Sequence, residues 1–258
     1  MNLTDQPRKK FVPFDYQGQM VDWLYDNPYA ALFCSPGLGK TVCTLKAWHQ
    51  LYHDCESRGV LVIAPIRVTT ITWPSEVAKW DFCEGLVIAN LRTAEGIKHW
   101  EKGTADIYVI NSEALPTREI KVACPDCQDG KKAKREDCDT CMGEGQEVKK
   151  YPGFVARHIK GRKKHQMPVD TLIIDEISLC KNPRSRRFNA LRVWRGYFDR
   201  VWGLTGTPAP NSYLDLWAQI RFLDDGERFG LTQAGYHRAY FQTAGPGAFA
   251  KMVLKPGA

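Results

Sequence analysis

The stretch Cys34–Thr41 has the sequence CSPGLGKT and lies between a predicted strand and a predicted helix. An apolar run at 29–33 precedes it, and apolar side chains follow it at helical spacing. Glycines let backbone N–H groups close around phosphate oxygens, and the helix N-terminus adds the positive end of its dipole. The stretch therefore predicts a polyphosphate-binding loop.

Two side chains of this loop have the chemistry of a Walker A motif. Lys40 is expected to reach the β and γ phosphates of ATP, and the Thr41 hydroxyl is expected to bind Mg²⁺. Cys34 stands where the general pattern has glycine, which disfavours kinases and small GTPases. A chance glycine turn before a helix is the alternative interpretation. The loop residues predicted to bind ATP are Ser35, Pro36, Gly37, Leu38, Gly39, Lys40 and Thr41.

Apolar strands alternate with helical segments after the loop. Strands are predicted at 59–65, 86–89 and 106–110, and an amphipathic helix is predicted to end near Trp80. Alternation of this kind favours an α/β fold with a mostly parallel sheet, helices on both faces and right-handed connections.

Another helix is predicted before the loop, beginning near residue 14. Gln17 lies just inside its start. A glutamine amide offers both a donor and an acceptor, so Gln17 is a candidate for contacting the edge of adenine. The alternative is an exposed helix glutamine. The apolar face of this helix is predicted to consist of Tyr16, Met20, Trp23 and Leu24.

The composition is that of an ordinary globular protein. The chain has 258 residues, a formal net charge of +7, 43% hydrophobic residues and 25% charged residues. Its apolar runs are too short to span a bilayer, and its N-terminal residues lack the apolar segment of a signal peptide. We therefore expect no membrane partner and a cytoplasmic location.

The alternation stops at 116–168, a basic segment rich in Gly and Asp with little apolar periodicity. We predict an insertion there, within a core domain formed by 1–115 and 169–258. Two CxxC pairs inside it are ten residues apart, a spacing that favours a closed tetrahedral Zn²⁺ site. Four unpaired thiols in a flexible loop are the alternative. The predicted zinc ligands are Cys124, Cys127, Cys138 and Cys141.

A buried strand is predicted to end in Asp175 and Glu176. Asp175 can hold Mg²⁺, usually through its water, and Glu176 can orient or deprotonate an attacking water. Acids at a strand end are often only helix caps, but a phosphate loop upstream favours the catalytic interpretation. The next strand runs into Thr205, Gly206 and Thr207, which are expected beside the acids at the carboxyl edge of the sheet.

Taken together, these stretches resemble the first motor lobe of superfamily 2 helicases, and more narrowly the Swi/Snf-type DNA translocases, including versions found in phages. The resemblance covers roughly 14–223 apart from the insertion. Ile177-Ser178 stands where the family has Ala-His. The motif positions that carry the resemblance are Tyr16-Gln17, Gly37–Thr41, Pro65, Trp73, Glu76, Trp80, Asp175–Ser178, Lys181, Asn182, Ser185 and Leu204–Asn211.

The resemblance implies a RecA-like P-loop domain that hydrolyses ATP with Mg²⁺ while it tracks along one strand of duplex DNA. It also implies a second RecA-like lobe, whose arginines stabilise charge on the γ-phosphate. No second phosphate-binding core follows Leu223, so we expect this chain to bind ATP and to hydrolyse it weakly alone. The missing lobe would lie in a longer form of the protein or on another chain.

Contacts with the nucleic-acid backbone are also implied by the resemblance, as is an intracellular setting in a bacterial or phage-infected cell. The residues implied in backbone contact are Arg67, Thr69, Asn111, Ser112, Lys181 and Asn182. Two other functions stay open. One is a lobe without hydrolysis that acts as a nucleotide-gated module binding nucleic acid or protein. The other is a metabolic P-loop kinase, which explains neither the stretch at 204–208 nor the tryptophan-rich helix.

Overall fold

The computed structural model describes residues 7–124, 146–244 and 251–257. The strands are β1 (Tyr29–Phe33), β2 (Val60–Ala64), β3 (Ile88–Asn90), β4 (Ile107–Asn111), β5 (Arg118–Ala123), β6 (Gln146–Tyr151), β7 (Thr171–Asp175), β8 (Arg200–Thr205), β9 (Phe241–Ala244) and β10 (Lys251–Leu254). The helices are α1 (Asp15–Asp26), α2 (Lys40–His53), α3 (Trp73–Lys79), α4 (Ala94–Lys102), α5 (Phe154–His158), α6 (Arg186–Arg195), α7 (Leu216–Asp224) and α8 (Gln233–Tyr240).

The main sheet contains six parallel strands in the order β1-β8-β7-β2-β4-β3. The connections through α2 and α3 move across the sheet in one direction, and those through α4 and α6 move in the other. Because such connections are right-handed, the two pairs of helices lie on opposite faces. The predicted α/β fold with a mostly parallel sheet is confirmed.

The central strands β2 and β4 are buried along their whole length. This burial is expected of parallel strands covered on both faces, and it explains why 60–64 is a continuous apolar run without alternation. Large aromatic side chains fill the layers between sheet and helices. The tryptophans that are completely buried are Trp48, Trp73, Trp100, Trp194 and Trp202.

The buried face of α1 differs from the predicted one. Val21 and Leu24 are buried together with Gln17, whereas Tyr16 and Trp23 are 39% and 46% exposed. The predicted face is therefore wrong at Tyr16 and Trp23, whereas Leu24 is buried and Met20 is partly buried against the core. Gln17 is buried because its amide finds polar partners in the protein, which apolar periodicity does not register.

Residues Glu113–Arg162 form a compact unit separate from Met1–Ser112 and Lys163–Ala258. In this smaller unit β5 and β6 pair antiparallel, with Arg118 opposite Tyr151, and α5 follows them. The unit begins at residue 113, three residues before the start of the predicted insertion at 116. It ends at residue 162, six residues before the end of the predicted insertion at 168. Met167, which follows a 3₁₀ turn, is buried in the larger unit.

None of the helices in the described part of the chain has the length and apolarity that crossing a bilayer requires.

Candidate active site

The loop after β1 has the backbone of a phosphate-binding turn. Gly37 and Gly39 have φ angles of 86° and 80°, which residues with a Cβ rarely adopt. Gly39 is constrained further, since a Cβ there would lie 2.5 Å from the Gln17 side-chain nitrogen. The loop conformation therefore depends on both glycines of the GLG sequence.

Lys40 begins α2 and folds back over the loop. Its Nζ donates to the carbonyl oxygens of Cys34 at 2.7 Å and Ser35 at 3.0 Å. These carbonyls hold the ammonium group at the mouth of the loop, where phosphate oxygens would be competing acceptors. Thr41, the next residue, is partly exposed at the N-terminus of α2, where a hydroxyl is available to a cation.

Gln17 supports the loop from α1. It is 8% exposed, its Oε1 accepts from the Phe14 N–H at 3.1 Å, and its Nε2 donates to the Leu38 carbonyl at 3.3 Å. The first contact caps the start of α1, as a glutamine at the third helical position often does. The alternative of an exposed helix glutamine is wrong. Contact with adenine stays a prediction.

A cavity of about 530 Å³ lies between this loop, the N-terminal segment and α3, which is within the usual range for small-molecule sites. Lys40 and Thr41 line one side, and Glu76 and Trp80 line another. Phe14 also lines it and is 68% exposed, with its ring stacked on Tyr16 at 5.8 Å and 8°. The cavity thus combines a cationic phosphate end with an aromatic wall.

Asp175 ends β7 and is held by an indole group. The Trp73 Nε1–H donates to Asp175 Oδ2 at 2.9 Å. Burial raises the pKa of the Asp175 carboxyl and the charge of Glu176 adds to this, whereas the Trp73 hydrogen bond and the Lys40 charge lower it. The charge of Lys40 in the loop therefore acts on the acid that ends β7. Sequence reasoning missed the contact of Trp73, although Trp73 belongs to the motif around Glu76.

Glu176 has φ of 91°, an unusual angle for a residue other than glycine. Its Oε1 accepts hydrogen bonds from the Ser178 and Thr205 hydroxyls, both at 2.5 Å. Such strained positions concentrate at functional sites, where the surrounding structure fixes them. Ser178 stands where the family that this sequence resembles has histidine, and its hydroxyl contacts Glu176.

The segment after β8 joins the acids to the loop. The Thr205 carbonyl accepts from the Cys34 N–H at 3.2 Å, and Thr205 Oγ1 accepts from the Thr207 N–H at 3.0 Å. Gly206 lies against Pro36, because a Cβ on Gly206 would be 2.9 Å from Pro36 Cδ. The structure therefore brings the loop, Glu176 and Thr205–Thr207 into one hydrogen-bonded arrangement.

The residues implied in nucleic-acid contact end or follow β2, β4 and β7, at the same edge of the sheet. Arg67 is exposed, whereas Thr69 is fully buried and donates to the Ile66 carbonyl at 2.9 Å. Asn111 and Ser112 are also buried. Thr69, Asn111 and Ser112 therefore form the buried layer beneath this edge of the sheet.

The exposed groups at this edge are cations and an amide. Lys181 and Asn182 are both exposed, and Asn182 Oδ1 accepts from the Arg184 N–H at 2.9 Å. Arg92, which the sequence reasoning missed, is exposed after β3 and donates to Asn111 Oδ1 at 3.2 Å. Its position three residues after the strand predicted at 86–89 was the available signal.

The predicted zinc ligands fall largely outside the described residues. Cys124 is buried directly after β5, and Cys127, Cys138 and Cys141 lie in 125–145, beyond what is described. Among the residues that the structure describes, no cluster of three or more His, Cys, Asp or Glu side chains has metal-binding geometry.

Comparison with known proteins identifies relatives over most of the chain. Residues 16–229 match the SNF2-related domain family. The chain is 28% identical over 242 residues to protein p41 of Acyrthosiphon pisum secondary endosymbiont phage 1, covering 91% of this chain and 44% of that protein. It is 26% identical over 229 residues to helicase swr1 of Aspergillus fumigatus, covering 84% of this chain and 11% of that protein.

The fold is also similar to a solved structure, the Sulfolobus solfataricus SWI2/SNF2 ATPase core in complex with dsDNA. The TM-score is 0.61 at 20% identity, with 92% of this chain and 41% of that chain covered. The chain therefore spans less than half the length of each of these relatives. Because the family match extends over 16–229, the chain belongs to the SNF2-related domain family.

Proposed function

We propose that this chain is the first motor lobe of a DNA-dependent ATPase, which binds Mg-ATP at the loop and the backbone of duplex DNA at the same sheet edge. One observation carries the proposal: hydrogen bonds connect the loop, Glu176 and Thr205 in a single arrangement. Family membership and the likeness to an SNF2 ATPase core support it. An intracellular setting, in a bacterial or phage-infected cell, is supported by the phage relative.

The residues present fit a magnesium ion. Mg²⁺ takes oxygen ligands, usually from one or two side chains together with substrate phosphates. Thr41 and Asp175 offer such oxygens, and the Lys40 charge acts on Asp175. The metal would neutralise the charge of the phosphates. Glu176 would orient or deprotonate the attacking water, with its carboxylate fixed by the Ser178 and Thr205 hydroxyls.

Efficient hydrolysis requires a second lobe in this proposal. Arginines supplied across an interface accelerate phosphoryl transfer by roughly 10³ to 10⁵ in other systems. The chain spans 44% of the phage relative and 11% of the fungal helicase, so both relatives have room for further domains. We therefore propose ATP binding with weak hydrolysis for this chain by itself.

Binding of duplex DNA tests the nucleic-acid part of the proposal. Arg67, Arg92 and Lys181 would contact phosphates, so affinity should fall with salt and differ little between unrelated sequences. Arg67→Ala should weaken binding several-fold and reduce the slope of log K against log salt by about 0.9. Fluorescence anisotropy with two labelled duplexes at several salt concentrations measures both.

Lys102→Ala is the matched control for this DNA measurement. Lys102 is equally exposed, but it ends α4, which runs back toward the opposite edge of the sheet, so its removal should leave the slope unchanged. Affinity that is insensitive to salt, or that differs more than tenfold between unrelated duplexes, would contradict backbone binding.

The smaller unit is proposed to bind zinc through its four cysteines, and this is supported by the CxxC spacing and by the burial of Cys124. We expect one zinc per chain in protein purified without chelators, measured by elemental analysis. Cys138→Ser should lower the zinc content to well below one, whereas Cys55→Ser, at an exposed cysteine outside the pairs, should leave it unchanged. Protein that contains no zinc after purification without chelators would contradict the proposal.

A further inference from the structure

The indole of Trp73 makes an unusual contact for a core side chain. Trp73 is completely buried among apolar residues, yet its N–H donates to the Asp175 carboxylate across 102 positions of sequence. Within the described residues, no other group donates to this carboxylate. A partly buried carboxylate with a single charge-assisted hydrogen bond depends on that bond for its orientation.

The backbone before Trp73 determines where the indole points. The segment Val68–Thr72 forms a π-helical turn, and the Trp73 N–H donates to the Val68 carbonyl five residues earlier. A turn with one additional residue rotates every later side chain by about 100° relative to a continuous α-helix. Pro74 follows and cannot donate to the preceding turn. The rotation of Trp73 toward β7 therefore depends on a local irregularity, which is common at functional sites.

We propose that Trp73 is a positioning residue for magnesium binding: its indole N–H fixes Asp175 Oδ2 and thereby orients the carboxylate toward the metal. This inference rests on the proposed function, in which Asp175 holds Mg²⁺. Partners that hydrogen-bond a metal-binding side chain commonly change metal affinity by 10- to 100-fold when they are removed. Trp73 also follows the exposed Arg67 segment within one helical stretch, so it connects the proposed DNA-contacting edge to the metal-binding acid.

The decisive variant is Trp73→Phe, which keeps an aromatic ring in the core and removes the N–H. Binding of a fluorescent ADP analogue is titrated first in EDTA and then with increasing Mg²⁺. We expect affinity in EDTA within about twofold of the unmodified chain, and a Mg²⁺ concentration for half-maximal effect about tenfold higher. This readout needs no turnover.

Trp48→Phe is the matched control. Trp48 is completely buried in the same apolar cluster, and its indole N–H donates to Ser57 Oγ at 3.1 Å instead of to Asp175 or Glu176. The Trp48→Phe variant loses the same atoms from the same core as Trp73→Phe, so its Mg²⁺ midpoint should stay at the value of the unmodified chain. A midpoint in Trp73→Phe that matches Trp48→Phe would overturn the proposal, as would an equal loss of affinity in EDTA and in Mg²⁺.

A second background shows whether Trp73 acts through Asp175. In Asp175→Asn the metal-binding charge is gone, so adding Trp73→Phe should shift the Mg²⁺ midpoint no further. An additional tenfold shift in that background would show that Trp73 acts by another route and would overturn the assignment. Absence of Lys40-dependent nucleotide binding in the unmodified chain would instead be a failure of the proposed function.

Discussion

Replacement of Lys40 with alanine is expected to weaken Mg-ATP binding by about 100-fold or more. The ammonium group, now held by the Cys34 and Ser35 carbonyls, would donate instead to phosphate oxygens. Charge-assisted hydrogen bonds contribute about 1.5–3 kcal/mol each, and every 1.4 kcal/mol corresponds to a factor of about ten in affinity. Two such bonds give the expected loss, which titration with a fluorescent ATP analogue measures.

Lys46→Ala provides the control for this loss. Lys46 lies on the same helix, with its Nζ 4.9 Å from the centre of the Phe82 ring, and it does not line the cavity beside the loop. Its removal changes the net charge equally and should leave ATP affinity within about threefold. If Lys40→Ala also stays within that margin, the loop is not a phosphate site.

Glu176→Gln is expected to separate nucleotide binding from hydrolysis. Glutamine keeps the shape and an acceptor oxygen for the Ser178 and Thr205 hydroxyls, but it cannot take a proton from water. Loss of a general base typically lowers a rate by about 10² to 10⁴. We expect that reduction in single-turnover hydrolysis of labelled ATP with duplex DNA present, and ATP affinity within about threefold of the unmodified chain.

Glu95→Gln, in the exposed first turn of α4, should hydrolyse ATP at the original rate. The Glu176 variant also distinguishes a motor lobe from a nucleotide-gated binding module. A module that only binds would retain its biological activity in Glu176→Gln, whereas a motor would lose it. A single-turnover rate that is unchanged in Glu176→Gln would show that Glu176 is not the general base.

The fold and much of the site follow from local sequence patterns. Strand, loop and helix around Cys34–Thr41 are found at the predicted positions because glycine placement and apolar periodicity are local properties. Asp175 ends a buried strand as predicted, and Glu176 follows that strand directly. The order of strands in the sheet was beyond prediction, since β7 and β8 insert between β1 and β2 through pairing of residues far apart in sequence.

Other parts of the site depend on tertiary contacts that periodicity does not encode. Gln17 is buried because the Phe14 N–H and the Leu38 carbonyl satisfy its amide, and this shifts the buried face of α1. The contact between Trp73 and Asp175 requires the π turn at Val68–Thr72. The Ser178 hydroxyl contacts the carboxylate of Glu176, a residue with the positive φ that sequence patterns do not predict.

The central claim is that this chain is an ATP-binding lobe whose hydrolysis depends on a second lobe. The most direct measurement is steady-state ATPase activity of the zinc-replete protein, with and without duplex DNA, beside Lys40→Ala. We predict weak turnover that lies above that of Lys40→Ala and is not raised by duplex DNA, in a chain that binds ATP through Lys40. Robust turnover by the monomer that duplex DNA stimulates and Lys40→Ala abolishes would contradict the claim, because the chain would then contain a complete motor.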